Sequence, residues 1–140
     1  MLNFDEVRWL RRRAETGACV LVESGGIFLS GADFRRQKSL AQAQFGFALL
    51  PPVKLWESSE SGIPYVDFTW PVPARVRDFS RAIPLAGTGA PIAHLEGNAV
   101  ALQRRLGAGT LVFLGSPLGP HLLAGDRDAQ RWLGAVSQAC

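Results

Sequence analysis

The chain has 140 residues, of which 47% are hydrophobic and 19% are charged, and its formal net charge is +3. This length and composition predict one compact domain with a sizeable core, and they exclude a disordered or fibrous protein. The apolar runs are no longer than a strand, which excludes a membrane span. Asp5 and Glu6 lie where a secretory signal would need basic residues, so we expect a cytoplasmic location.

The basic residues and the cysteines indicate no special partner. Among the 15 basic residues the arginines predominate, and they cluster on three separate predicted elements, at Arg11–Arg13, Arg35–Arg36 and Arg104–Arg105. Nucleic-acid binding needs such charges on one face with aromatic or polar residues between them, so we expect solvated surfaces and no nucleic-acid partner. Cys19 and Cys140 lack metal-ligand spacing. We therefore expect a reducing compartment, with Cys19 as a small buried hydrophobic residue.

The N-terminal segment predicts a helix followed by a strand. Asn3 and Glu6 have the spacing of a capping box, and Gly17 is placed to end the helix. The apolar stripe between them comprises Phe4, Val7, Leu10 and Ala14. Ala18 to Glu23 then reads as a strand that is apolar on both faces as far as Val22, which is typical of a parallel strand covered by helices.

The middle of the chain is less regular. A second helix is predicted from Ala32 to Phe45, and Pro51 and the proline after it end that segment. A polar loop follows. Tyr65 to Trp70 alternates between apolar and other residues as a strand does. Because Pro71 and Pro73 come directly after it, we expect this strand to lie at a sheet edge or to be irregular.

The last third predicts antiparallel hairpins and a helix. Short strands joined by glycine-containing turns are predicted at Pro91–Leu95, Ala99–Leu106 and Thr110–Leu114. Gly115 to Pro120 reads as loop, and Asp126 is placed to cap a helix. The buried stripe of that helix comprises Ala129, Trp132, Leu133 and Val136. We expect Ala18–Val22 and Thr110–Leu114 to be central strands of one sheet, flanked by the helices that contain Trp9 and Trp132.

Two stretches resemble the class I glutamine amidotransferase-like superfamily. "GACVLVESGGIFL" resembles the strand and turn that carry its nucleophile, and "AVALQRRLGAGTLVFLGSPLG" resembles its C-terminal hairpin. The similarity is greatest to the non-catalytic versions in β-galactosidase trimerisation domains and ThuA-like proteins. It implies an α/β fold with a three-layer, flavodoxin-like sheet, flanking helices and a C-terminal antiparallel hairpin region. Residues 1–140 would form a single domain with a shortened N-terminus, and a different α/β or α+β sandwich is the alternative.

The resemblance places Ser24 where the family has its nucleophile, on a turn with Gly25 and Gly26. In such an elbow a strained turn lifts the side chain clear of the sheet, and backbone N–H groups form an oxyanion hole. Serine needs a neighbouring base more than cysteine does. The segment that matches the family's histidine position, Gly115 to Gly119, contains no histidine. His121, a few residues further on, is the candidate base.

We therefore predict a pseudoenzyme, a non-catalytic module for assembly or small-ligand binding that uses no cofactor and no metal. A serine hydrolase or amidase with Ser24 as nucleophile and His121 as base is the alternative. The expected ligand-binding residues are Glu23, Ser24, Gly25 and Gly26, because free N–H groups at such a turn attract anions. We expect Glu23 to cap a turn or to pair with a base. His121 is expected to have a loop or surface role, and His94 is expected to be a hydrogen-bonded strand residue.

The shortened N-terminus implies a sheet edge that the family normally covers, and an uncovered strand edge promotes aggregation. We therefore expect a homodimer, or a complex with a separately encoded partner. The segment from Pro51 to Pro73 is the candidate interface, and a lid over the protein's own sheet is the alternative for it. Its aromatic residues, which suit an interface core, are Trp56, Tyr65, Phe68 and Trp70.

Overall fold

The computed structural model of the chain describes residues 3–24, 31–54, 64–77 and 81–140. In those ranges the helices are α1 (Phe4–Glu15), α2 (Gly31–Phe45), α3 (Gly119–Leu123) and α4 (Arg127–Ala139). The strands are β1 (Cys19–Glu23), β2 (Phe47–Leu49), β3 (Val53–Lys54), β4 (Tyr65–Phe68), β5 (Ala74–Arg77), β6 (Arg81–Ala82), β7 (Leu85–Gly87), β8 (Ala90–Leu95), β9 (Asn98–Leu106) and β10 (Gly109–Leu114). None of the helices described is long and apolar enough to cross a membrane.

The main sheet is mixed. Its six strands lie in the order β1, β10, β9, β8, β4 and β5. β1 and β10 are parallel, with Cys19 opposite Thr110, and the other neighbouring strands are antiparallel. Two further pairs, β2 with β7 and β3 with β6, form small antiparallel sheets. The predicted α/β class and the C-terminal hairpins are confirmed.

Helices cover the main sheet on both faces, as the predicted three-layer arrangement requires. On one face α4 packs through Trp132, whose ring centroid lies 4.4 Å from that of Phe68. On the other face α1, α2 and the pair formed by β2 and β7 pack against Leu111 and Phe113 of β10. Alternate residues of β10 therefore face the two cores, and all six residues of this strand are buried.

The predicted helix ends are confirmed. Asn3 Oδ1 accepts a hydrogen bond from the backbone N–H of Glu6 at 2.9 Å, and Glu6 Oε2 accepts one from the N–H of Asn3 at 2.7 Å. Gly17, with φ of +114°, follows the last turn of α1, a backbone conformation that favours glycine. Asp126 caps α4 by accepting from two backbone N–H groups. The apolar stripe of α1 is narrower than predicted, because Phe4 is exposed.

Two strand positions were wrongly predicted. β1 lies at an edge of the main sheet and not at its centre. Its buried residues are Val20 and Val22, and its two end residues are exposed. β4 lies inside the sheet, between β8 and β5. The prolines Pro71 and Pro73 do not place it at an edge, because they follow its last residue, Phe68, and lie in the turn from which the chain returns as β5.

The predicted state of Cys19 was also wrong. Cys19 is exposed and forms a disulfide with Cys140, with the two Cα atoms 5.4 Å apart. Burial fails because Cys19 lies at the exposed start of the edge strand, where the end of α4 comes close enough for a bond. Disulfides persist mainly in oxidising compartments. The cysteine content therefore no longer supports a reducing compartment.

Candidate functional site

The candidate site lies at the carboxyl end of the parallel pair β1 and β10. The backbone N–H of Ser24 donates to the carbonyl oxygen of Leu114 at 2.8 Å, which extends the ladder beyond the last residue of β1. Ser24 thus lies directly after its strand, as predicted, and is only 1% exposed. Gly25 and Gly26, the other predicted residues of the turn, lie outside the described residues.

The hydroxyl of Ser24 makes no hydrogen bond with any residue that the structure describes. Both histidines of the chain, His94 and His121, are among those residues, so neither acts on Ser24 as a base in this arrangement. A buried hydroxyl without a partner destabilises a fold by about 1–3 kcal/mol. Such a group is available to a water molecule or a ligand.

Glu23 caps the start of the short helix α3. Its Oε1 atom accepts hydrogen bonds from the backbone N–H of Leu118 at 2.6 Å and of Gly119 at 3.2 Å. A carboxylate is favoured there because the first N–H groups of a helix have no partner within the helix. The predicted capping role of Glu23 is confirmed. It also means that these two donors, which could otherwise bind a negatively charged ligand, are occupied by the protein itself.

The two histidines differ from their predicted environments. His121 lies in α3 and is 4% exposed, and so it is neither a loop residue nor a surface residue. The sequence signal was Pro120, a residue that favours the first turn of a helix. His94 lies on β8 as predicted, opposite Asp67 of β4, but it is exposed. Its ring is solvated and makes no hydrogen bond to another described residue, because this outer position of β8 is not covered.

The aromatic residues predicted as an interface belong largely to the core. Phe68 is buried beneath α4, and Trp70 is partly buried against the same core. The carbonyl oxygen of Trp70 accepts a hydrogen bond from Trp132 Nε1 at 2.8 Å. Strand alternation explains this, because it turns Phe68 towards α4 and Tyr65 away from it. Trp56 lies outside the described residues.

Sequence reasoning missed a cavity of about 420 Å³ beside β1. The residues that line it come from α1, β1, α2, β2 and β10. They are distant in the sequence and share no spacing, so no motif signals them. The described part of the chain contains no group of three or more histidine, cysteine, aspartate or glutamate residues that could hold a metal ion.

Neither a protein-family profile nor a curated protein sequence matches the chain. Solved structures do match its fold. An exo-β-1,4-mannosidase from Opitutaceae bacterium strain TAV5 has a TM-score of 0.62 and 16% identity, over 94% of this chain and 23% of that one. A β-galactosidase from Rahnella sp. R3 has a TM-score of 0.58 and 15% identity, over 80% of this chain and 18% of that one.

The chain of a third similar solved structure is shorter than the two glycosidase chains. A cytoplasmic protein from Salmonella typhimurium LT2 has a TM-score of 0.62 and 14% identity, over 96% of this chain and 60% of that one. The chain spans less than a quarter of the two glycosidases and less than two thirds of the Salmonella protein. At these identities the likeness is one of fold. The fold is therefore one that also occurs as part of β-galactosidase and mannosidase chains.

Proposed function

We propose that this chain is a non-catalytic, amidotransferase-like module that serves assembly or small-ligand binding. The sequence resemblance to β-galactosidase trimerisation domains supports this, and so does the fold that the chain shares with a small part of two glycosidases. We propose an accessory role for this chain, and we do not propose that it carries out the reactions of these glycosidases. The name of the Salmonella protein supports a cytoplasmic location, whereas the disulfide between Cys19 and Cys140 favours an oxidising compartment.

The observation that carries this proposal is the hydroxyl of Ser24, which has no hydrogen-bond partner among the described residues. A serine nucleophile is weak unless a base accepts its proton. Glu23 supplies no such base, because its Oε1 atom is bound to the N–H groups of Leu118 and Gly119. The residues that would have to activate Ser24 are thus engaged elsewhere or out of hydrogen-bonding reach.

A fluorophosphonate probe tests the absence of catalysis. We expect the wild-type protein to be labelled no more than Ser24→Ala, and circular dichroism should show that both are folded. Ser137→Ala is the matched control, because Ser137 is an exposed serine at the other end of the molecule's sequence. Labelling that disappears in both Ser24→Ala and His121→Ala would overturn the proposal in favour of a serine hydrolase.

We propose the free edge of β1 as the surface for assembly, through a two-fold axis in a homodimer. In the described ranges β1 pairs on one side only, with β10. The carbonyl of Ala18 and the N–H of Ser24 point to β10, so the backbone groups of Leu21 point the other way. An exposed edge of this kind is a template for pairing with another strand.

Sedimentation velocity at micromolar concentration tests this assembly. We expect a dimer for the wild type and a monomer for Leu21→Pro, because proline removes the outward N–H without disturbing the bonds to β10. Leu21→Ala is the control: it removes the same side chain but keeps the N–H, and it should remain a dimer. A wild-type monomer, or a dimer that survives Leu21→Pro, would contradict the role of this edge.

A further inference from the structure

The cavity beside β1 has apolar walls and a polar rim. The walls include Val7, Val22, Ala41, Phe45, Leu49 and Phe113, all of them buried core residues. Its volume is about 420 Å³. An apolar cavity of about 150 Å³ already binds benzene, so this one has room for an aromatic or aliphatic body with a polar head. A volume in this range with few polar groups is typical of small-molecule sites.

The rim is acidic. Among the described lining residues the charged ones are Glu6 and Glu23. Glu6 uses Oε2 to cap the N–H of Asn3, and the residue is exposed. The carboxylate of Glu23 caps α3, and strand alternation places it on the opposite side of β1 from the side chain of Val22, which lines the cavity. A ligand head at this rim therefore meets the carboxylate of Glu6, although the whole chain carries a net charge of +3.

Two neutral groups add hydrogen-bonding capacity near the cavity. The amide of Gln37 is half-buried at the rim and makes no hydrogen bond with another described residue. Ser24 is not among the lining residues, but it is only 1% exposed and its hydroxyl has no partner in the described ranges. Val22 lines the cavity, and strand alternation places Ser24, two residues on and still hydrogen-bonded to β10, on the same side of the sheet.

We infer that this cavity binds a small organic amine in its ammonium form, with the apolar body against the walls and the head at the rim beside Glu6 and Gln37. An ammonium group donates three hydrogen bonds and accepts none, which suits a carboxylate and an amide oxygen. A carboxylate or phosphate ligand would be repelled by the carboxylate of Glu6. The inference rests on the small-ligand branch of the proposed function.

Three ligands that share one ring and differ in charge test the inference: benzylammonium, benzyl alcohol and benzoate. Titration of the ¹⁵N-labelled wild-type protein at low salt, followed by NMR, gives the dissociation constant of each. We expect benzylammonium to bind most tightly, benzyl alcohol about two- to fivefold more weakly, and benzoate most weakly. The shifted amide signals should cluster at Val7, Val22, Ala41 and Phe113.

Two variants separate the rim from the walls. Glu6→Gln removes the charge but preserves the capping box, in which glutamine also serves. It should weaken benzylammonium binding about two- to fivefold and leave benzyl alcohol unchanged. Glu15→Gln, on the same helix but outside the cavity, should change the binding of neither ligand. Ala41→Leu fills the cavity and should weaken both ligands more than about tenfold.

Equal binding of benzoate and benzylammonium would overturn the inference, and so would shifts that map away from the cavity or the absence of binding by a folded wild-type protein. The mapping on the wild type decides the matter even if Ala41→Leu does not fold. Failure of the proposed function is distinguishable from failure of this inference. Labelling of Ser24 by the fluorophosphonate would refute the first without changing the amine titration, and a missing amine site leaves the assembly branch intact.

Discussion

Helices α1 and α4 have similar sequence patterns but different roles in the fold. α1 has 12 residues and α4 has 13, and each begins at a side-chain cap, Asn3 or Asp126. Each carries one tryptophan. Trp9 of α1 is 55% exposed, whereas Trp132 of α4 is fully buried. The same local pattern of cap, helix and tryptophan therefore produces one peripheral helix and one helix that completes a core.

The position of each tryptophan relative to its buried stripe explains the difference. Trp9 follows the buried Val7 by two residues, a rotation of roughly 200° around the helix, and so it points away from the sheet. Trp132 lies three residues after Ala129 and four before Val136, on the buried face. Its Nε1 donates to the carbonyl of Trp70, which satisfies the one polar group that burial of the indole would otherwise leave without a partner.

Replacement of the two tryptophans should show the largest contrast. We expect Trp132→Ala to lower the free energy of unfolding by about 3–5 kcal/mol, because it leaves a cavity and frees the carbonyl of Trp70. Trp9→Ala should change it by less than about 0.5 kcal/mol, as exposed substitutions usually do. Urea denaturation of the three proteins measures both values. Similar losses in the two variants would contradict the roles assigned to the helices.

The disulfide between Cys19 and Cys140 joins the residue at the start of β1, just after α1, to the residue that follows α4. It closes a loop with a sequence separation of 121 residues, and cross-links of such loops stabilise proteins by about 2–5 kcal/mol. We expect Cys140→Ser to lower the free energy of unfolding by that amount. Dithiothreitol should lower the stability of the wild type equally.

The variant itself serves as the control for the disulfide experiment. Dithiothreitol should leave the stability of Cys140→Ser unchanged, since the bond is already absent. If the wild type is no more stable than Cys140→Ser under non-reducing conditions, the bond does not constrain the chain in solution. Mass spectrometry after alkylation of free thiols then shows whether it forms.

The sequence predicted the parts of the fold that depend on neighbouring residues. The caps at Asn3 and Asp126 and the two hairpin turns between β8 and β10 are set by a few consecutive residues, and all were predicted correctly. The edge position of β1 depends instead on which distant strands pair with it. The apolar run up to Val22 carries no information about that pairing, because a strand with one neighbour and a strand with two have the same alternation.

The candidate site was predictable to a similar extent. Ser24 follows its strand because the strand itself is apolar and ends at Glu23, and the capping role of Glu23 follows from its position beside a turn. The partners of Glu23, Leu118 and Gly119, are almost a hundred residues away in the chain, and no spacing rule identifies them. The disulfide and the cavity depend on the same long-range packing, and so the sequence did not reveal them.

The two caps should show a smaller contrast. Asp126 accepts hydrogen bonds from the backbone N–H groups of Asp128 and Ala129, at the start of the helix that carries Trp132. Loss of an N-terminal cap lowers stability by about 0.5–2 kcal/mol. We expect Asp126→Ala to lie in the upper half of that range and Asn3→Ala in the lower half, because fraying of α1 exposes less of the core. Thermal unfolding of both variants checks the order, and the reverse order would contradict it.

The smallest expected effect concerns the contact of α4 with the edge strand β5. Asp128 Oδ2 accepts a hydrogen bond from the backbone N–H of Arg75 at 2.9 Å. This bond lowers the pKa of Asp128 below its ordinary value of 3.8, and the nearby guanidinium of Arg131 lowers it further. Because the pKa is lower in the folded protein, the carboxylate stabilises the fold above about pH 3.8, and that contribution is lost as the pH falls further, through the folded-state pKa.

Asp128→Asn tests this contact. The side chain of Asp128 is 39% exposed, so solvent screens the charge and we expect the variant to lose less than about 1 kcal/mol at neutral pH. The difference from the wild type should shrink as the pH falls below about 3.8 and through the lower folded-state pKa of Asp128, because the carboxylate is then protonated. Glu15→Gln is the control on α1, because the carboxylate of Glu15 pairs with Arg11 within the same helix and contacts no strand. This variant should lower the free energy of unfolding less than Asp128→Asn does. A difference for Asp128→Asn that stays constant down to low pH would show that the shape of the side chain, and not its charge, holds α4 to β5.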